Sequence, residues 1–71
     1  MSVSEFLAQY EGTECFICFP EEGFEIYIPD KDSINSDSLK KLLDELWVVG
    51  FNSVDENCIN ITVNTSITFN N

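Results

Sequence analysis

Two kinds of residue in this 71-residue chain could form a chemical site: three cysteines, two of them spaced Cys15-x-x-Cys18, and 13 carboxylates. A Cys-x-x-Cys pair can hold zinc or exchange a disulfide. A structural zinc wants four ligands, and beyond Cys15 and Cys18 the chain offers only Cys58 and no histidine. A redox pair wants its first sulfur at a helix N-terminus, which lowers the thiol pKa. Here the intervening Phe16-Ile17 favours a strand, where side chains three positions apart point to opposite faces. Cys15 and Cys18 are therefore expected to pack rather than react, with no metal and no cofactor.

The carboxylates fail two tests for chemistry. With Asp30 as the first position of a calcium loop, the fifth is Ile34, the sixth Asn35 instead of Gly, and the twelfth Lys41 instead of Glu. No histidine stands ready as a base, and Asp44 and Glu45, adjacent on a helix, read as a solvated face. No enzymatic activity is expected.

Charge is then the main signal. Thirteen acids against three lysines give a net charge of −10 and an isoelectric point near 4.1. Such a field repels nucleic acid, draws basic partners and works against the compact state. The candidate partner-binding residues are Glu21, Glu22, Glu25 and Tyr27 in a hairpin, Asp30 and Asp32 after it, Asp44 and Glu45 late on a helix, and Asp55 and Glu56 in the loop beyond. Acids at a helix end and Lys40 and Lys41 near its start oppose the helix macrodipole, so local stability does not explain their placement. Carboxylates on alternate strand positions are about 6.6 Å apart and those four apart on a helix about 6 Å, close to phosphate spacing. Ten net charges match those of about five base pairs of duplex DNA.

With 44% hydrophobic and 13% aromatic residues, the chain is a folded domain, not an acidic tail. Residues 1–71 are expected to form a single domain. Residues 2–12 carry Val3, Phe6, Leu7 and Tyr10 at helical spacing, with Ser2 and Glu5 as a capping box and Gly12 as a left-handed terminator. From residue 14 to 28, two apolar runs flank Pro20-Glu21-Glu22-Gly23 and predict a hairpin. A four-residue loop pairs Phe19 with Phe24, Ile17 with Ile26 and Cys15 with Ile28 on one side. Phe16 then faces Tyr27, and Cys18 faces Glu25, on the other.

After a polar linker over residues 30–37, Asn35 is expected to cap a second helix, with Ile34 stapled on Leu39. Its buried stripe is Leu39, Leu42, Leu43, Leu46 and Val49, flanked by Trp47, and Gly50 ends it with Phe51 folded back onto Leu46. The tail alternates through Ile59, Ile61 and Val63 and again through Ile67 and Phe69, which predicts a second hairpin turning at residues 64–66, or one long bent strand. The order αββαββ implies an α+β domain with a mostly antiparallel sheet of three or four strands packed with two helices.

The start of the chain lacks the basic and apolar regions of a signal peptide, and no run approaches the roughly 18 apolar residues of a membrane span. Three cysteines cannot all pair within one chain. A cytoplasmic protein is expected, acting on neither membrane nor nucleic acid directly. Its size and charge resemble those of phage-encoded anti-defence proteins as a class, which implies an inhibitor seated on the basic nucleic-acid-binding surface of a restriction, CRISPR or repair enzyme in the host cytoplasm. An immunity protein or antitoxin against a basic toxin follows the same charge logic. The third reading is a structural module, with Phe16 and Tyr27 covered by the first helix or by a second copy in a homodimer.

Overall fold

The computed structural model describes residues 1–64. Within these residues two helices and four strands follow one another in the order αββαββ, and the strands make one mixed, mostly antiparallel sheet. The elements are α1 (Val3–Gln9), β1 (Glu14–Phe19), β2 (Phe24–Ile28), a 3-10 turn (Lys31–Ser33), α2 (Asp37–Glu45), β3 (Trp47–Asp55) and β4 (Cys58–Asn64). In space the strands lie in the order β2-β1-β4-β3, with β1 and β4 parallel and the two outer pairings antiparallel.

Helix α1 starts as predicted: the Ser2 hydroxyl accepts the Glu5 N–H and the Glu5 carboxylate accepts the Ser2 N–H. It ends earlier than residue 12, at an extended Tyr10, without a left-handed glycine. Gly12 serves instead as a point of close approach. A β-carbon there would collide with the Tyr10 ring, whose hydroxyl is held by a 3.0 Å bond to the Glu14 carbonyl.

The β1–β2 register is the predicted one, from Phe19 opposite Phe24 down to Cys15 opposite Ile28. Gly23 closes its turn at φ 77°, a left-handed conformation that favours glycine, and its N–H reaches the Phe19 carbonyl at 2.8 Å.

The second helix departs from expectation at both ends. Its cap is Ser36, not Asn35: the Ser36 hydroxyl accepts the Leu39 N–H at 3.2 Å. It stops at Glu45, and Leu46 is already extended. Trp47 to Asp55 then form a nine-residue strand, so Val49 does not continue the buried stripe, Gly50 lies opposite Thr62 in the sheet, and Phe51 lies opposite Ile61. Leucines at helical spacing run only to Leu46, and beyond it β-branched and aromatic residues gain more from pairing with β4 than from another helical turn.

The second hairpin among the described residues is consequently β3–β4, turning through Glu56 and Asn57. Both edges of β4 are occupied, by β1 and β3. The strand expected over residues 67–69, with its turn at 64–66, falls outside the described residues save for Asn64, which closes β4 opposite Trp47.

Both helices cover the same face. Val3 and Leu7 from α1 and Leu43 and Leu46 from α2 join Cys15, Ile17, Phe19, Ile28, Ile59, Ile61 and Val63 in one core. Ile17 and Ile61, side by side on the central strands, are fully buried. Such side chains each contribute about 1.5–3 kcal/mol through burial. Among the described residues, no helix is long and apolar enough to cross a membrane.

Candidate protein-interaction surface

Side-chain alternation settles the Cys-x-x-Cys question geometrically. Cys15 points into the helix-covered core, opposite Ile28, while Cys18 stands on the other face, opposite Glu25, whose carboxylate accepts its thiol at 3.8 Å. The two sulfurs cannot share a metal or close a bond across the sheet. Burial pushes the Cys15 thiol up to about 11. Burial also raises Cys18, with the neighbouring Glu25 charge adding to it, and raises Cys58, with Glu14 adding to it.

The face turned away from the helices is built by register. One row across it reads Tyr27, Phe16, Asn60, Asn52, and the next reads Glu25, Cys18, Thr62, Gly50. The rings of Phe16 and Tyr27 lie 4.9 Å apart between centroids and tilted by 32°, and the Tyr27 hydroxyl donates to the Glu14 carboxylate. That hydrogen bond raises the Tyr27 pKa, because ionisation would break it beside a negative charge. Helix α1 lies on the opposite side of the sheet and does not cover this pair, as one sequence reading had allowed.

The strands sort the predicted acids into two groups. Glu21 and Glu22 in the β1–β2 turn lie at the end of the sheet where β4 finishes and β3 begins, the end at which α2 delivers Asp44 and Glu45. Asp30, Asp32, Asp55 and Glu56 lie at the other end, with Glu14. Hydrogen bonds confirm that second grouping: the Glu14 N–H reaches the Asn57 carbonyl at 3.1 Å, and the Lys31 N–H reaches the Thr13 carbonyl at 2.8 Å. A six-residue strand spans about 20 Å, more than twice the physiological Debye length, so the two ends act as separate fields. Glu25 and Tyr27 lie on the face between them.

Not all of these acids are idle. Asp30 accepts the Asp32 N–H and the Ser33 hydroxyl, both at 2.9 Å, and these bonds hold its carboxyl below the usual range. Asp55 accepts the Asn57 N–H at 2.8 Å, and Asp44 accepts the Ser4 hydroxyl at 2.5 Å. Asp32 pairs with Lys31 at 3.3 Å. Among the predicted partner-binding acids, Glu21, Glu22, Glu45 and Glu56 are exposed and take no hydrogen bond or ion pair among the described residues, and the same holds for Glu11 and Asp37 outside that set. These six are the carboxylates most available to a partner.

Sequence reasoning passed over Asn57. Its side chain accepts the Thr13 N–H at 3.0 Å and donates to the Thr13 hydroxyl at 2.9 Å, tying the β3–β4 turn to the start of β1. An Asp-Glu-Asn turn signal existed at residues 55–57, but only the parallel β1–β4 pairing brings Thr13 to it.

No family model, no curated protein and no solved structure matches this chain.

Proposed function

We propose that the protein is a small acidic inhibitor that binds the basic, nucleic-acid-contacting surface of a defence or DNA/RNA-processing protein, in the manner of anti-CRISPR or anti-restriction proteins. It acts by occupancy, without catalysis, in the cytoplasm, where its three free thiols would persist. The observation that supports this reading most is the separation of acids into two groups at the two ends of the sheet, with the Phe16–Tyr27 pair on its helix-free face between them. Two fields about 20 Å apart can track two stretches of a basic groove. An aromatic pair at their centre supplies the desolvated contact that charge alone lacks.

The test is competition. A bacterial lysate is passed over the immobilised protein at low and at moderate salt, and a captured nucleic-acid-binding enzyme is assayed with and without the protein. Inhibition that weakens when Glu21, Glu22 and Glu25 are changed to Gln supports the proposal. Full inhibition after both end groups are neutralised, or rescue from a toxin that binds no nucleic acid, refutes it.

A further inference from the structure

Strand β3 sits at the edge of the sheet and carries no charge from Trp47 to Val54. Its first residues are covered: the Val48 N–H reaches the Met1 carbonyl at 2.9 Å and the Val3 N–H reaches the Leu46 carbonyl at 3.0 Å, so the residues leading into α1 act as a short cap on the edge. From Val49 to Asp55, no strand among the described residues pairs with the outer edge. Val49, Phe51 and Val54 are 59%, 61% and 54% exposed along it.

Natural proteins blunt such edges with lysines, proline or a covering element, because an uncharged run of unpaired backbone recruits another strand. Beyond the Met1–Val3 cap, no described residue pairs with this edge over about 23 Å, the length of seven extended residues. The two register shifts in β3, after Val48 and after Ser53, increase its twist without charging it.

Charge says what fits. Acids stand at both ends of the strand, Asp44 and Glu45 just before its capped first residues and Asp55 and Glu56 at its far end. A second copy paired antiparallel about Phe51 would bring Asp55 and Glu56 of each chain toward Asp44 and Glu45 of the other, four like charges at each end. A strand with basic residues at both ends meets complementary charge in either direction. Opposite Phe51, which leans on Phe6 beside the core, such a strand would need an apolar side chain.

We propose that β3 is a docking edge that captures an extended, Lys- or Arg-flanked segment of a partner protein as a fifth strand, bonded to the backbone of Val49–Asp55. The inference rests on the reading of this chain as a binder of basic proteins and names the element that would hold the partner.

The probe is a synthetic peptide of alternating Val and Thr flanked by two Lys at each end, with a Glu-flanked copy as control. Amide exchange followed by NMR should show new protection within Val49–Asp55 on adding the Lys peptide and none with the Glu peptide. Binding should weaken about tenfold from low to moderate salt. Val49→Lys, on an exposed position, should weaken it by a similar factor with the fold retained.

Three results overturn the proposal: Val49–Asp55 amides unchanged by the peptide in folded protein, the same amides already protected in the free monomer, or protection that rises with protein concentration alone alongside a dimer by light scattering. Perturbation confined to Phe16 and Tyr27 would also sink the edge while leaving the inhibitor reading standing. Edge protection in a protein whose acid-neutralised variants still inhibit would do the opposite.

Discussion

The ring of Phe6 on α1 lies against the ring of Phe51 on β3, with centroids 4.9 Å apart and planes tilted by 57°. Phe51 is largely exposed, yet this contact ties the first helix to the β3 side of the sheet. A double-mutant cycle with Phe6→Ala and Phe51→Ala, read by urea unfolding, should give a coupling of about 0.5–1.5 kcal/mol. Additive effects would mean that the two rings do not support each other.

Asn57 makes two side-chain bonds to Thr13 across the parallel junction. Asn57→Ala should cost about 1–3 kcal/mol, a large loss for a turn residue, because it strips partners from a backbone N–H and a hydroxyl together. Asn57→Asp, which keeps the acceptor and loses the donor, should fall between. A midpoint shift no larger than that of an exposed control such as Asn35→Ala would refute the tie.

Helix α2 is capped by Ser36. Ser36→Ala should therefore destabilise by about 1 kcal/mol and Asn35→Ala by much less. The reverse ranking in thermal unfolding would restore Asn35 as the cap.

The three thiols should separate by reactivity. Cys15 and Cys58 are buried and Cys18 half-buried, and burial raises all three pKa values, Cys15 to about 11. With iodoacetamide near neutral pH, Cys18 should label first and Cys15 only after denaturation. Peptide mapping that found Cys15 modified in the native state would contradict its place in the core.

Two hydrogen bonds should leave opposite signatures in pH. The Tyr27 pKa is raised by its bond to Glu14, so that bond's contribution is complete below the ordinary tyrosine value of about 10 and fades as pH climbs through the folded value. The Asp30 pKa is lowered by the Asp32 N–H and the Ser33 hydroxyl, so its contribution is present above about pH 4 and fades as pH falls through the folded value. The stability gap between the protein and Tyr27→Phe should narrow only in strong alkali. The gap to Asp30→Ala should narrow only in acid. A gap that stayed flat across either window would show that the named bond does not form in solution.

What the sequence alone determined was local. The β1–β2 register followed from a four-residue turn and the two-residue period of a strand, since a one-residue slip would have put Ile17 and Phe19 on the wrong face. The Ser2–Glu5 capping box followed from four adjacent residues. The acidic surplus was plain in the composition.

Tertiary structure decided the rest. Trp47 to Asp55 holds no strict alternation, and Leu39 to Leu46 invites the helix onward, so only pairing with β4 makes it a strand. The same pairing turns Gly50 from an expected helix stop into a sheet residue opposite Thr62. The parallel contact of β1 with β4 joins residues separated by most of the chain, and it assigns each acid to one end of the sheet. Long-range pairing is chosen by the burial that the whole set of elements achieves together, and no window of sequence contains that sum.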